Sequence, residues 1–334
     1  MFCGKQPAVS VVILTKNSSS TVKKTLESVF NQEHNPDEVI VVDGRSTDNT
    51  LSIVKSYPVK IVIEPGLGFG HARNLGVKEA KGDVIFFIDS DCYAEPQWIE
   101  RALHHFKNPE IAGVTGPTRL WNVNDGVARF IAYVGGRMNM PTKEQMVKIA
   151  PTMNLALRRQ IILEVGGFDP NLVRGEDTEL TYKITKHNKI IYEPKAVVWF
   201  RGSPNLKIAS RKCFHHFIGV GQLFAECGFN LAFVRFNLLL RGIILICAIV
   251  SLALAPWYIP AILFLILLAE FMGKTLKAYI RYRDKCVIYY TFFFTLWSLT
   301  SFAVILGFIK QKTLRKRTKT RKQFQIFKLQ NDVS

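Results

Sequence analysis

Three short runs of mostly β-branched and aromatic residues constrain this chain most: Val9–Thr15 (VSVVILT), Glu38–Asp43 (EVIVVD) and residues 83–89 (DVIFFID). None alternates polar with apolar, so each reads as a strand buried on both faces, as in a parallel sheet. Helix-like segments separate them. Residues 18–20 are serines placed to cap a helix running through Val29, with Val22, Leu26, Val29 and Phe30 at helical spacing. Residues 48–56 read as a short helix and 59–64 as a third strand. A glycine-rich turn, Gly66-Leu67-Gly68-Phe69-Gly70, leads into a helix over 71–80. Strands alternating with helices predict an α/β fold with a mainly parallel sheet and right-handed crossovers. Ligands of such sheets sit at the carboxyl ends of the strands, where Thr15, Asp43 and Asp89 stand. Residues 151–158 and 197–200 read as further strands and 177–186 as a helix. Residues 117–150 show no clear period.

Charge divides the chain. Residues 1–200 hold 24 Lys/Arg and 22 Asp/Glu, whereas residues 201–334 hold 20 and 4. The basic part is also the most apolar, which points to an anionic membrane surface. A nucleic-acid binder would carry its basic groups on a folded soluble face, so nucleic acid is not an expected partner. With 48% apolar and 21% charged residues the chain is neither disordered nor collagen-like. Six cysteines without C-x-x-C spacing argue against a disulfide framework or zinc site. Residues 1–7 lack the apolar core of a signal peptide.

The expected organisation is a soluble domain over 1–205, interfacial helices over 206–235, a membrane region over 236–309 and a basic cytoplasmic tail over 310–334. Residues 242–269 carry no charge but contain Pro256 and Pro260. One straight helix of that length would be about 42 Å long against a hydrocarbon core of about 30 Å. A hairpin with arms 238–255 and 258–274 fits better, and 286–309 forms a third apolar segment. A multi-pass protein with its soluble domain on the cytoplasmic side follows. The basic tail beyond 310 conflicts with a third full crossing, which leaves 286–309 spanning, re-entrant or interfacial. The hairpin could also pair two protomers as a homo-oligomer.

Asp89-Ser90-Asp91 stands where a buried strand meets a loop. Two carboxylates at that spacing can share a hard divalent cation and its bound phosphates. Taken together, VSVVILTKN (9–17), EVIVVDGRSTDNT (38–50), GFGHARNLGVKEAKGDVIFFIDSDC (68–92) and RGEDTEL (174–180) resemble the family 2 glycosyltransferases over roughly residues 8–200. The resemblance implies a GT-A fold, a Rossmann-like domain that binds nucleotide-diphospho sugars. It also implies inverting, metal-dependent glycosyl transfer. The apolar C-terminal part resembles membrane-bound members. Gly66, Gly68 and Gly70 do not have the G-x-G-x-x-G spacing of a dinucleotide site.

The resemblance assigns roles residue by residue. Thr15 and Asn17 would border the nucleotide, and Asp43 would hydrogen-bond the base. Asp48 reads as a helix cap. Arg73 and Asn74, the family's A-R-N element, would lie near the pyrophosphate of a UDP or GDP sugar. Asp89 would lie by the ribose and metal, with Asp91 the direct ligand of Mn²⁺ or Mg²⁺. Asp177 would be the general base and Glu176 its partner in orienting the acceptor. Asn154 would line the sugar or acceptor site. Many relatives carry a metal-binding His where this chain reads Val198-Trp199-Phe200-Arg201, so the third ligand stays open.

Two acceptors compete: a hydroxyl of a lipid-linked saccharide or polysaccharide precursor, and a polyprenyl phosphate. A phosphate monoester is largely ionised at pH 7 and needs no base, so the Glu176-Asp177 pair favours the hydroxyl. A non-catalytic membrane-tethered nucleotide-sugar-binding protein is the third reading, which the four acids argue against.

Overall fold

The computed structural model describes residues 6–134, 137, 140–203, 205–227, 244, 247, 256, 258–282 and 306–313. The chain forms two compact units, Met1–Asn171 with Glu176–Asn205, and Leu172–Gly175 with Leu206–Ser334.

In the first unit the elements run β1 (Val9–Thr15), α1 (Val22–Phe30), β2 (Glu38–Asp43), α2 (Thr50–Val54), β3 (Lys60–Ile63), α3 (Phe69–Glu79), β4 (Val84–Asp89), β5 (Cys92–Ala94) and α4 (Trp98–Leu103). They continue with β6 (Ile111–Thr115), β7 (Thr118–Leu120), α5 (Gly126–Val134), β8 (Gln145–Val147), β9 (Leu155–Arg158), α6 (Arg159–Glu164), α7 (Glu176–Ile184), β10 (Lys189–Tyr192) and β11 (Val198–Phe200). The main sheet is ordered β3-β2-β1-β4-β9-β6-β10-β8, and a small sheet is ordered β5-β11-β7. Strands β1 to β4 are mutually parallel, as are β6 and β10, while β9 runs antiparallel between β4 and β6.

The unbroken apolar runs are explained by cover on both faces. Alternate residues of β1 and β4 point to opposite cores. Val9, Val11, Ile13, Phe86 and Ile88 meet α1 and α4 through Leu26, Val29, Trp98 and Ile99. Val12, Ile85 and Phe87 meet α3, α6 and α7 through Val77, Ile162, Leu180 and Ile184. Close approach of α3 to β1 requires Gly76, where an added Cβ would lie 2.5 Å from the Val12 Cγ1.

Several expectations are revised. The serines at 18–20 do not cap α1: it starts at Val22 with no side-chain cap, and the Ser18 hydroxyl pairs with Ser90 Oγ at 2.8 Å instead. The strand expected over 151–158 is split. Residues Thr152–Asn154 form a 3₁₀ turn and only Leu155–Arg158 is strand, because the Asn154 side chain is drawn into the core. Residues 117–150 contain β7, α5 and β8, two of them three-residue strands too short to show a period.

In the second unit, α8 (Leu206–Cys227) packs on two partners. Its Gln222 accepts from the Val173 backbone at 2.8 Å and donates to Gln311 at 2.9 Å. Gly307 lets the 306–313 helical segment lie directly on α8, since a Cβ there would collide with the Ile218 carbonyl. Helix α9 (Tyr258–Tyr282) covers the expected second hairpin arm, 258–274, and continues past it. Among the described residues, no helix is long and apolar enough to cross a membrane. Nearly all of the first arm, 238–255, and of 286–309 lies outside the described residues, as does most of the tail.

Candidate active site

The carboxyl ends of β1, β2 and β4 lie side by side, with Thr15 opposite Asp43 and Leu14 opposite Asp89 in the strand registers. Asp43 is fully buried and accepts three bonds, from Thr15 Oγ1 at 2.9 Å, Ser46 N–H at 2.8 Å and Ser46 O–H at 2.6 Å. Asn17, at φ +50°, joins the first two loops: its N–H donates to Ser46 Oγ at 2.8 Å and its Oδ1 accepts from Thr47 N–H at 2.8 Å. Thr15, Asn17 and Asp43 therefore form one rigid corner. Asp48, expected as the helix cap, lies one residue ahead of the cap position held by Asn49 and closes the turn before α2, accepting the Thr50 N–H at 3.0 Å and the Ser19 N–H at 3.1 Å. The Thr50 hydroxyl and these amides hold its carboxyl well below the usual aspartate range, outweighing desolvation.

The D-x-D loop is supported from below. The Thr25 hydroxyl lies 2.6 Å from the Cys92 carbonyl and 3.0 Å from the Ser90 carbonyl. From the other side, the Arg201 N–H donates to the Asp91 carbonyl at 2.8 Å. The Asp89 side chain, at the tip of β4, remains 35% exposed.

Arg73 on α3 is buried between carboxylates. It ion-pairs with Glu176 at the start of α7, and its second Nη lies 3.6 Å from Asp89 Oδ1. Burial opposes its charge, but Glu176, Asp89 and Asp177 hold its pKa above the ordinary guanidinium value. The expected pyrophosphate ligand is thus a strut between D-x-D and E-D. Its neighbour Asn74 is a staple: its amide exchanges two bonds with the Phe168 backbone, at 2.8 and 2.9 Å. Asp177 is half-buried, its Oδ1 2.7 Å from the Thr178 N–H and its Oδ2 3.4 Å from the Thr152 N–H.

Asn154 is 1% exposed. It accepts from the Trp98 indole at 2.8 Å and donates to the Ala196 and Pro117 carbonyls at 2.8 and 3.1 Å. Its amide is spent inside the fold, locking β9 to the chain before β7 and β11. It shapes the site from behind rather than lining it.

Two further residues escaped sequence reading. Arg137 lies over the Phe200 ring, 4.7 Å from its centroid. Burial pulls its pKa below the ordinary value, against the attraction of Asp89, Asp177 and Asp91. Its segment has no periodic signal, so nothing in the sequence marked it. Glu64, 4% exposed, gathers the Gly66 N–H at 2.7 Å and the Leu67 N–H at 2.5 Å and so shapes the glycine turn before α3. An acid just ahead of a glycine run was the available signal.

Asp89, Asp91, Glu176 and Asp177 thus share the electrostatic reach of the buried Arg73 and the half-buried Arg137. Four acids against two arginines leave two formal negative charges. Hard oxygen donors with that residual charge fit a divalent cation. Among the described residues, the group of three side chains close enough to share an ion lies elsewhere, at His105, Glu144 and Glu193. The third ligand at Asp89 and Asp91 accordingly stays open.

Residues 10–166 match the family model described as glycosyl transferase family 2. The chain is 31% identical over 191 residues to glycosyltransferase AglE of Haloferax volcanii, covering 54% of this chain and 62% of that one. It is 33% identical over 218 residues to the probable glycosyltransferase YdaM of Bacillus subtilis, covering 58% and 50%. It is 27% identical to a poly-beta-1,6-N-acetyl-D-glucosamine synthase of Staphylococcus epidermidis, covering 57% and 49%. The chain thus spans 49% to 62% of the length of these curated relatives. A mannosyltransferase of Pyrobaculum calidifontis, solved with GDP-Man and Mn²⁺, shares the fold with a TM-score of 0.58 and 19% identity, over 92% of this chain and 88% of that one.

Proposed function

We infer that this chain, whose residues 10–166 match the glycosyl transferase family 2 model, is a nucleotide-sugar-dependent glycosyltransferase of GT-A fold acting on a hydroxyl acceptor. The observation that carries the reading is the convergence of Asp89, Asp91, Glu176 and Asp177 around Arg73 and Arg137 at the carboxyl ends of the strands. Thr15, Asn17 and Asp43 form the corner against which a UDP or GDP sugar would rest. Asp89 and Asp91 would hold Mn²⁺ or Mg²⁺, which supplies positive charge against the diphosphate leaving group. Asp177 takes the proton of the acceptor hydroxyl as that oxygen attacks the anomeric carbon from the face opposite the diphosphate. The bond to the diphosphate breaks and the anomeric configuration inverts. Glu176, held by Arg73, fixes the start of α7 and so aims Asp177.

A saccharide hydroxyl is favoured over a polyprenyl phosphate because only the hydroxyl needs a base. Membrane attachment with the catalytic domain on the cytoplasmic side is part of the same proposal. It rests on the basic, apolar C-terminal part and on α9, which exposes Ile262, Phe264, Leu265, Ile266, Met272 and Leu276. The acceptor would then be lipid-linked or a growing surface polysaccharide.

The test is Asp177→Asn with saccharide acceptors and UDP and GDP sugars. Transfer is expected to fall about 10²- to 10⁴-fold, the usual contribution of a general base, with donor affinity kept. Transfer at the wild-type rate would overturn the assignment, and unaffected transfer to a polyprenyl phosphate would favour that acceptor.

A further inference from the structure

We propose that the outward face of the small β5-β11-β7 sheet is an acceptor subsite. It would stack one pyranose ring and pair an anionic group on that saccharide, a carboxylate or a phosphate. This rests on the glycosyltransferase reading above.

The strand register creates the face. Cys92, Ala94, Val198, Phe200, Thr118 and Leu120 point inward and are buried. Tyr93, Trp199 and Arg119 are register partners on the other face, and none of them is buried. The Tyr93 and Trp199 rings lie within 7° of parallel with centroids 6.1 Å apart. Trp121, one residue beyond β7, stands edge-on to Tyr93 at 5.5 Å. The Trp199 indole N–H donates to Glu95 Oε1 at 2.5 Å, which fixes the ring's orientation. The inner face already supplies this sheet's core, so three large rings on the outer face add no strand-to-core packing. A surface aromatic cluster of this kind marks a contact site. The ring faces carry negative potential, which suits the polarised C–H groups of a sugar.

The surrounding charge specifies more. Lys24 Nζ lies 4.0 Å from the centroids of both Tyr93 and Trp121. The Arg119 guanidinium is 5.8 Å from the Trp199 centroid. Lys24 and Arg119 are both exposed, so neither cation is needed to neutralise a buried acid. A neutral glycan would gain little from two cations, whereas a carboxylate or phosphate would gain charge-assisted bonds.

Position ties the shelf to transfer. Asp91 stands in the turn that opens β5, two residues before Tyr93, and its carbonyl accepts the Arg201 N–H at 2.8 Å just beyond the Phe200–Cys92 pair, so the D-x-D turn adjoins the edge of this sheet. Two residues of chain span at most about 7 Å, roughly one sugar unit. A saccharide whose hydroxyl reaches the transfer centre would lay its neighbouring unit on these rings.

The test uses the full chain in detergent and follows tryptophan fluorescence. The probes are a hyaluronan tetrasaccharide (uronate), glucose 6-phosphate (phosphate), chitotetraose (neutral) and inorganic phosphate. At least one anionic saccharide is expected to bind ten-fold or more tighter than chitotetraose, and the tighter arm identifies carboxylate or phosphate. Lys24→Ala with Arg119→Ala should remove that preference and leave the chitotetraose affinity unchanged. Trp121→Ala should weaken both saccharides, and stabilisation by nucleoside diphosphate should persist in all variants. Equal affinity for neutral and anionic saccharides, or binding of inorganic phosphate as tight as glucose 6-phosphate, would overturn the proposal. Saccharide binding with no nucleotide stabilisation even in the wild type would overturn the glycosyltransferase reading and keep the shelf as a saccharide-binding face.

Discussion

Arg73 and Glu176 are 4% and 3% exposed, and each is the nearest opposite charge of the other, with Asp89 a second and longer partner of Arg73. Breaking such a pair by removing one partner typically costs about 3–5 kcal/mol, while replacing both is far milder. Arg73→Met should therefore destabilise the protein by that order in denaturant unfolding, and Arg73→Met with Glu176→Gln should recover most of the loss. Additive losses would show that the pair is not the strut described. Asp48 gives a pH signature. Its folded pKa lies below the unfolded value near 3.9, so its contribution is full above that value and is lost as pH falls through the folded pKa. The stability gap between wild type and Asp48→Asn should hold from pH 7 to 5 and shrink below about pH 4. A gap that widens on acidification would contradict the turn-closing role. At this scale the sequence revealed the residues whose chemistry is distinctive. Asp89, Asp91, Glu176 and Asp177 stood out as acids beside strand ends and a helix start. Arg137 did not, because this half-buried cation's partners come from β4, β5 and α7, which only the fold assembles. Asn154 drew attention for its place in the chain, yet its three bonds to Trp98, Pro117 and Ala196 are long-range and invisible locally.

Elements matter here by how they hold the D-x-D loop. Thr25 on α1 satisfies carbonyls on both sides of Asp91. Thr25→Val keeps the shape and removes the hydroxyl, leaving buried carbonyls unmet at a cost of about 1–3 kcal/mol. It should lower thermal stability and weaken metal-dependent nucleotide binding together, and a loss of stability alone would separate the loop from the ligand site. Helix α3 is equally constrained, since a Cβ at Gly70 would meet the Asp169 carbonyl oxygen at 2.5 Å. Long strands buried on both faces, such as β1, β2 and β4, were legible because their side chains all answer to the core. Strands β5 and β7, at three residues each, were not legible, and β9 was legible as a strand within 151–158 but not in its antiparallel direction. Their pairing is decided by distant partners, and three residues cannot display a period.

The chain joins a nearly neutral N-terminal part, residues 1–200, to a strongly basic C-terminal part. Basic groups near an anionic bilayer contribute about 1 kcal/mol each, and this contribution is screened by salt. The full chain should therefore sediment with phosphatidylserine-containing vesicles more than with neutral ones, and the difference should fall at high salt. Equal binding to both vesicle types would assign attachment to apolar insertion alone. The domain's fold was legible from strand pattern and motif order, whereas the arrangement of the C-terminal segments was not, because an apolar run does not specify whether it crosses, re-enters or lies flat. In the proposed function Asp89 and Asp91 join a nucleoside diphosphate to a divalent cation. The most direct measurement is thermal unfolding of the detergent-purified chain with UDP, GDP, ADP or CMP, each with Mn²⁺, Mg²⁺ or chelator, in wild type and Asp91→Asn. A ligand at 100 times its Kd stabilises by about 2.7 kcal/mol, or roughly 5–10 °C for a domain of this size. One nucleotide should give such a shift with metal, little with chelator and none in Asp91→Asn. A well-folded protein that responds to no nucleotide under any metal condition would contradict the account.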